Sequence, residues 1–128
     1  MIPTTDLQLG DWVRIYDIEQ QELKATGQIW EIRQEDVTVD TDGTDDGIWY
    51  STDHCLQPII ITTAILEKNG WFTKDGAVWF KKGPVRMGWY KKNCEFIAGY
   101  HTMPIVVEFV HTLQHIIRLL GLEEDIVL

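Results

Sequence analysis

The chain has little cysteine, no long apolar run and none of the short patterns that mark the common enzyme chemistries, and each absence narrows its class. Only two cysteines occur, Cys55 and Cys94. At most one disulfide can form, and a chain of 128 residues has enough core not to need it. Reduced thiols in a cytoplasm are therefore expected. The opening "MIPTTDLQLGDW" carries no basic segment followed by an apolar run, and no apolar stretch approaches the roughly 20 residues of a membrane helix. Neither a secretion signal nor a membrane span is expected. A Gly-rich phosphate loop, a G-x-S-x-G elbow and a Ser-His-Asp order are all missing, which removes the usual residues of phosphoryl and acyl transfer. Internal repeats, low-complexity tracts and Pro/Gly/Ser linkers are missing too.

What is present describes a globular protein. A hydrophobic share of 45% with six tryptophans lies outside the composition that keeps chains disordered. Charge is divided unevenly: residues 1–58 carry 13 Asp+Glu against 3 Lys+Arg, a net of -10, whereas residues 59–128 carry 7 against 8, a net of +1. An acidic first half repels a phosphate backbone and argues against nucleic acid as the general partner.

Hydrophobic periodicity places the elements. Gly10-Asp11 reads as a turn before a strand over Trp12 to Tyr16. "ATGQIWEIRQEDVTVDT" supplies two more strands, with Gly27 at a bend and Val37 and Val39 on one face. "DGTDDG" is a loop, and further strands lie around Ile48 to Tyr50 and Cys55 to Ile59. Five short strands so closely spaced predict a small closed or half-open barrel over residues 1–60. In "ITTAILEKNGW" a helix begins at a Thr62 or Thr63 cap and stops at Asn69-Gly70. Three aromatic segments follow, "GAVWFKK", "RMGWYKK" and "CEFIAGY", and predict a β-meander. Ile105 to Val107 are read as finishing a strand, and from about Glu108 to Leu120 the period becomes helical: Phe109, Val110, Leu113, Ile116, Ile117 and Leu120 make one apolar stripe, and Gly121 ends it. The tail "LEEDIVL" is read as an added edge strand. The expected fold class is α+β, an SH3-like N-terminal barrel followed by a small meander packed on a C-terminal helix over residues 61–128.

Three blocks, "LQLGDWV", "WYSTDHCLQPIIITTAILEKNGW" and "VHTLQHIIRLLGLEEDIVL", resemble a family of small uncharacterised proteins carried by phages and mobile elements of gut bacteria. In that family a segment like "LGDWV" opens the chain, a block like "PIIITTAILEKNGW" follows the first lobe and a VHxLQHxxRLxG helix closes it. The likeness covers both ends and the centre but not residues 73–103. It implies origin and architecture only. Separately, the "LGDWVRI" start and its Gly-punctuated strands are similar to SH3-like barrels, which host peptide, RNA and protein contacts alike.

Several groups of residues carry possible chemistry. Glu108, His111, His115 and Arg118 fall together on the face opposite the apolar stripe. Two histidines four apart can hold a metal, but zincins need Glu after the first His, and Thr112 stands there. A structural metal would take further ligands from Glu108, His101, His54 or a cysteine, with Arg118 opposing it; an ordinary polar helix face is the favoured reading. The Asp40–Asp46 run suggests calcium, yet its twelfth position is Ser51 rather than Glu, so a solvated loop is preferred. "WFKKGPVRMGWYKK" interleaves Trp79, Phe80, Trp89 and Tyr90 with Lys81, Lys82, Arg86, Lys91 and Lys92, a pattern suited to single-stranded nucleic acid; core-facing aromatics with lysines guarding a sheet edge explain it as well. Nothing local marks Cys94 as an activated nucleophile.

The leading expectation is a non-enzymatic accessory or interaction protein of a phage or mobile element, cytoplasmic, without cofactor or bound metal, working through an unidentified protein partner. One form of this is an inhibitor that presents acid groups in place of nucleic acid. A nucleic-acid-binding module using the 79–92 hairpin and a metal-binding protein using His111 and His115 are the other readings.

Overall fold

A computed structural model describes the chain apart from residues 1, 3, 18, 20, 35, 42–47, 53–55, 83–84, 91–92, 99–100 and 123–124; at 4, 17, 22–24, 48–52, 82, 85, 96–98 and 101–103 it describes the backbone alone. The fold is mixed α+β, mostly strand, with two antiparallel sheets and two helices. Two compact units divide it, Met1–Ile59 and Ile60–Leu128. No helix is long and apolar enough to cross a membrane among the described residues.

In the first unit five strands, β1 (Trp12–Asp17), β2 (Glu22–Ile32), β3 (Asp36–Asp40), β4 (Ile48–Thr52) and β5 (Leu56–Gln57), form one sheet in the order β4-β3-β2-β1-β5. The closed barrel is corrected here to a sheet with two edges, β4 and β5. β5 offers two residues, which pair with Arg14 and Ile15 of β1, and among the described residues no ladder joins it to β4. Val13, Ile15, Ile29, Val37, Val39 and Leu56, joined by Ile2 and Leu7, build the core of this unit. The "LGD" segment forms the turn that leads into β1. Gly10 has φ +86, and fully buried Asp11 turns its carboxylate back to accept the Gln8 N–H at 2.8 Å. Gly27 is demanded by a close approach, since a Cβ there would lie 2.2 Å from the carbonyl oxygen of Asp40.

In the second unit α1 (Thr63–Lys68) is capped by Thr62, whose hydroxyl accepts the Ile65 N–H at 3.2 Å. It closes with the paired bonds Gly70 N–H to Glu67 and Trp71 N–H to Leu66, the Schellman arrangement that the left-handed Gly70 permits. A second sheet follows in strict chain order: β6 (Phe72–Lys74), β7 (Ala77–Lys82), β8 (Val85–Tyr90), β9 (Asn93–Ala98) and β10 (His101–Val106). Five strands thus replace the three expected. β6 and β10 are the two edges; β6 is not among the expected strands, and β10 extends the strand end read at Ile105 to Val107 back to His101. β6 is joined to β7 through Asp75 (φ +55) and Gly76 (φ +81), a two-residue turn with both central φ positive that matches the twist of the strands.

Alternation divides this second sheet. Val78, Phe80, Met87, Trp89 and Cys94 are buried on one face, and Trp71 packs on Phe80 with ring centroids 5.4 Å apart. Helix α2 (Val110–Leu119) buries Val110, Leu113 and Ile117, and Gly121 closes it with the same paired bonds, Gly121 N–H to Arg118 and Leu122 N–H to Ile117. The tail differs from the expected edge strand. Its backbone at Val127 is gripped by the Asn69 side chain, which accepts the Val127 N–H at 2.7 Å and donates to the Val127 carbonyl at 2.8 Å. Ile126 is buried beside this grip.

Candidate functional site

Two surfaces stand out, one in each unit. The first rests on an irregularity in β2. There Ile29 pairs with Val39 and Glu31 with Thr38, adjacent residues on β3, so Trp30 is the extra residue of a β-bulge. Ile29 is buried and its neighbour Trp30 is 63% exposed; the extra residue keeps Glu31 on the outward side as well and returns Ile32 to the face of its buried partner Val37. Trp30 borders a groove of about 360 Å³ with Leu9, Gly10, Gln28, Ile29 and Asp40. Leu9 is itself 61% exposed, and Gln28 Nε2 donates to the Gly10 carbonyl at 3.0 Å, tying β2 to the turn. Asp40 lines the same groove as the indole. Arg33, which Glu31 binds at 2.9 Å and Asp36 also engages, has its pKa raised chiefly by the Asp36 hydrogen bond.

The second surface is the outer face of the β6–β10 sheet. Register sets Phe72, Trp79, Gly88, Glu95 and Pro104 in one cross-strand row, and Lys81 with Arg86 in the next. Trp79 lies over Gly88: a Cβ on residue 88 would meet indole carbons at 2.6, 2.8 and 2.9 Å. Its Nε1 donates to the Lys74 carbonyl at 3.2 Å, which holds the ring across the sheet. Phe72, Lys74, Trp79, Phe80, Lys81 and Arg86 line a groove of about 310 Å³, with Asp75 of the turn at its rim. Phe72 is 49% and Tyr90 53% exposed on the same face.

This arrangement sorts the residues singled out from the sequence. Trp79, Lys81 and Arg86 are brought together. Trp89 is not part of that surface: it is buried, and its Nε1 donates to the Val107 carbonyl at 3.0 Å. The reason is parity, since Trp89 pairs with Val78 and must share its face. The Lys82 side chain and Lys91 lie outside the described residues. Phe72 and Lys74 were missed by sequence reasoning, although Asp75-Gly76 between two short strand patterns is the hairpin signal that would have found them.

The helix-face group differs more from expectation. Glu108 precedes α2, and its carbonyl accepts the Ile61 N–H at 2.9 Å. His111 is buried rather than solvated, stacked on Phe109 at 6.0 Å and edge-on to His115 at 5.7 Å. Gln114 is fully buried and donates to Asp125 at 2.9 Å, and Arg118 approaches the same carboxylate at 3.6 Å. His111 and His115 thus lie together with His111 buried, while Glu108 stands before the helix. Among the described residues no three His, Cys, Asp or Glu are grouped to hold a metal ion. His54, Cys55 and the His101 side chain fall outside them, as does most of the Asp40–Asp46 loop read for calcium. Cys94 is buried and carries a free thiol; burial, with a smaller contribution from the Glu95 charge, pushes its pKa up to about 12, opposite to the lowering a thiolate nucleophile needs.

Comparison with known proteins yields no family model, no curated protein and no solved structure that this chain matches.

Proposed function

We propose that the protein is a non-enzymatic accessory protein of a phage or mobile element that acts through protein contacts, with Trp30 as the anchor of its binding surface. The observation that carries this reading is Trp30 itself, the largest side chain in the alphabet, 63% exposed at a β-bulge beside exposed Leu9. Bulges commonly re-aim a side chain at a functional position, and tryptophan heads the residues that dominate interface energetics. The acidic surroundings, net -10 over residues 1–58, favour a partner with a basic contact surface.

The first unit is read as an SH3-like small barrel left open between β4 and β5, a reading supported by its β1–β4 meander with one long, bulged strand and by the return of β5 to pair with β1. A cytoplasmic setting belongs to the same proposal and is supported by the free thiol of Cys94. The phage or mobile-element origin rests on the three sequence blocks alone.

Trp30→Ala tests the proposal. Removing an exposed side chain should change stability by less than about 0.5 kcal/mol, so lost binding would not reflect unfolding. Proteins that co-purify from host cells with the unaltered chain should disappear with the variant and weaken as salt rises. An identical set recovered with both chains, or none with either, would refute the assignment.

A further inference from the structure

From the outer face of the β6–β10 sheet we infer a second, independent site: a stacking groove for single-stranded nucleic acid centred on Trp79. Its ring lies flat on Gly88, so one indole face is spent on the sheet and the other is turned to the groove. A flat aromatic surface parallel to a sheet receives another planar ring by stacking. Phe72 in the same cross-strand row and Tyr90 on the same face add exposed rings within the reach of neighbouring bases.

Charge selects the ligand. Lys81 and Arg86 are directly paired on one side of the Trp79 row, and Lys74 lies on the other, so cations border the ring on both flanks. Residues 72–106 hold six Lys/Arg and two Asp/Glu, a net positive charge in contrast to the net -10 of residues 1–58. The two acids are Asp75 at the rim and Glu95 on β9; Glu95 confines an anionic strand to the β6–β8 side of the face. A ligand that alternates planar rings with negative charges fits this spacing, and a single strand does so while a duplex hides its rings in the stack. An acidic peptide satisfies the cations but leaves the indole without a planar partner.

Fluorescence anisotropy on the full chain with a labelled oligothymidylate of about 15 nucleotides tests the inference. Binding should appear at low salt, with a log–log salt slope of about -2 for three cations at roughly -0.7 each. Trp79→Ala should weaken it about tenfold or more, and Trp79→Phe should recover much of the loss. The exposed pair Lys81→Glu with Arg86→Glu should abolish it without touching the buried face, which keeps the test valid if Trp79→Ala folds poorly. Absence of binding at low salt, equal affinity for a duplex, equal displacement by polyglutamate, or indifference to Trp79→Ala would each overturn the site. None of these outcomes depends on Trp30.

Discussion

Replacing Asn69 with alanine separates two ways of holding the C-terminal tail. The Asn69 amide makes three bonds: to the Val127 N–H at 2.7 Å, to the Val127 carbonyl at 2.8 Å and to the Ile65 carbonyl at 2.8 Å. The two to Val127 are exposed, so water replaces them when they are lost, and each contributes at the low end of about 0.5–1.5 kcal/mol. Ile126, only 2% exposed, is worth more; truncation to alanine costs about 2–5 kcal/mol. The tail has a second anchor in Asp125, whose Oδ1 accepts from Gln114 Nε2 at 2.9 Å and from the Ile126 N–H at 2.8 Å. That anchor keeps Ile126 seated when Asn69 is gone. Asn69→Ala should therefore cost about 1–2 kcal/mol, Ile126→Ala more, and the double variant their sum to within about 0.5 kcal/mol. Urea unfolding followed by far-ultraviolet circular dichroism measures all three. If Asn69→Ala costs as much as Ile126→Ala, and the double variant no more than either, the tail hangs on Asn69 alone and the reasoning fails.

Two further outcomes follow from buried groups. Gly27→Ala places a methyl group 2.2 Å from a carbonyl oxygen and 2.8 Å from Val39, and because the nearest obstacle is backbone, the loss should reach about 3 kcal/mol, read as a lower denaturation midpoint; a loss under about 1 kcal/mol would refute the close approach of β2 and β3. The Cys94 thiol is raised from 9.0 to about 12 in the folded chain, so the unfolded state releases its proton first as pH rises. The stability it contributes is complete below pH 9 and falls above it by up to about 1.4 kcal/mol per pH unit until the folded thiol also ionises. Cys94→Val should flatten that alkaline decline, and an unchanged slope would contradict it.

Much of the local structure is legible in the sequence because its causes are local. Thr62 caps a helix three residues before a free N–H, and Gly70 and Gly121 stop helices because each adopts a positive φ that residues with a Cβ avoid. The alternation of Val78, Phe80, Met87 and Trp89 likewise follows from the two-residue period of a strand. Local rules alone also contain Asp75-Gly76, and with it β6.

What the tertiary structure decided concerns parity and cover. Period two says that neighbours face opposite ways, not which face is covered, and so Trp79 and Trp89 look equivalent until pairing with Gly88 and Val78 separates a groove from a core. Ile29 and Trp30 likewise face opposite ways by alternation, but only the packed core decides that Ile29 is covered and Trp30 exposed, and nothing in "GQIWEI" announces the bulge that keeps Glu31 outward. Helical spacing groups His111 with His115 and Arg118, but the stacking of Phe109 and the bonding of Gln114 to Asp125 bury part of that face. Propensity acts within a few residues, whereas burial is the sum of contacts from distant segments, and that sum exists only once the chain has folded.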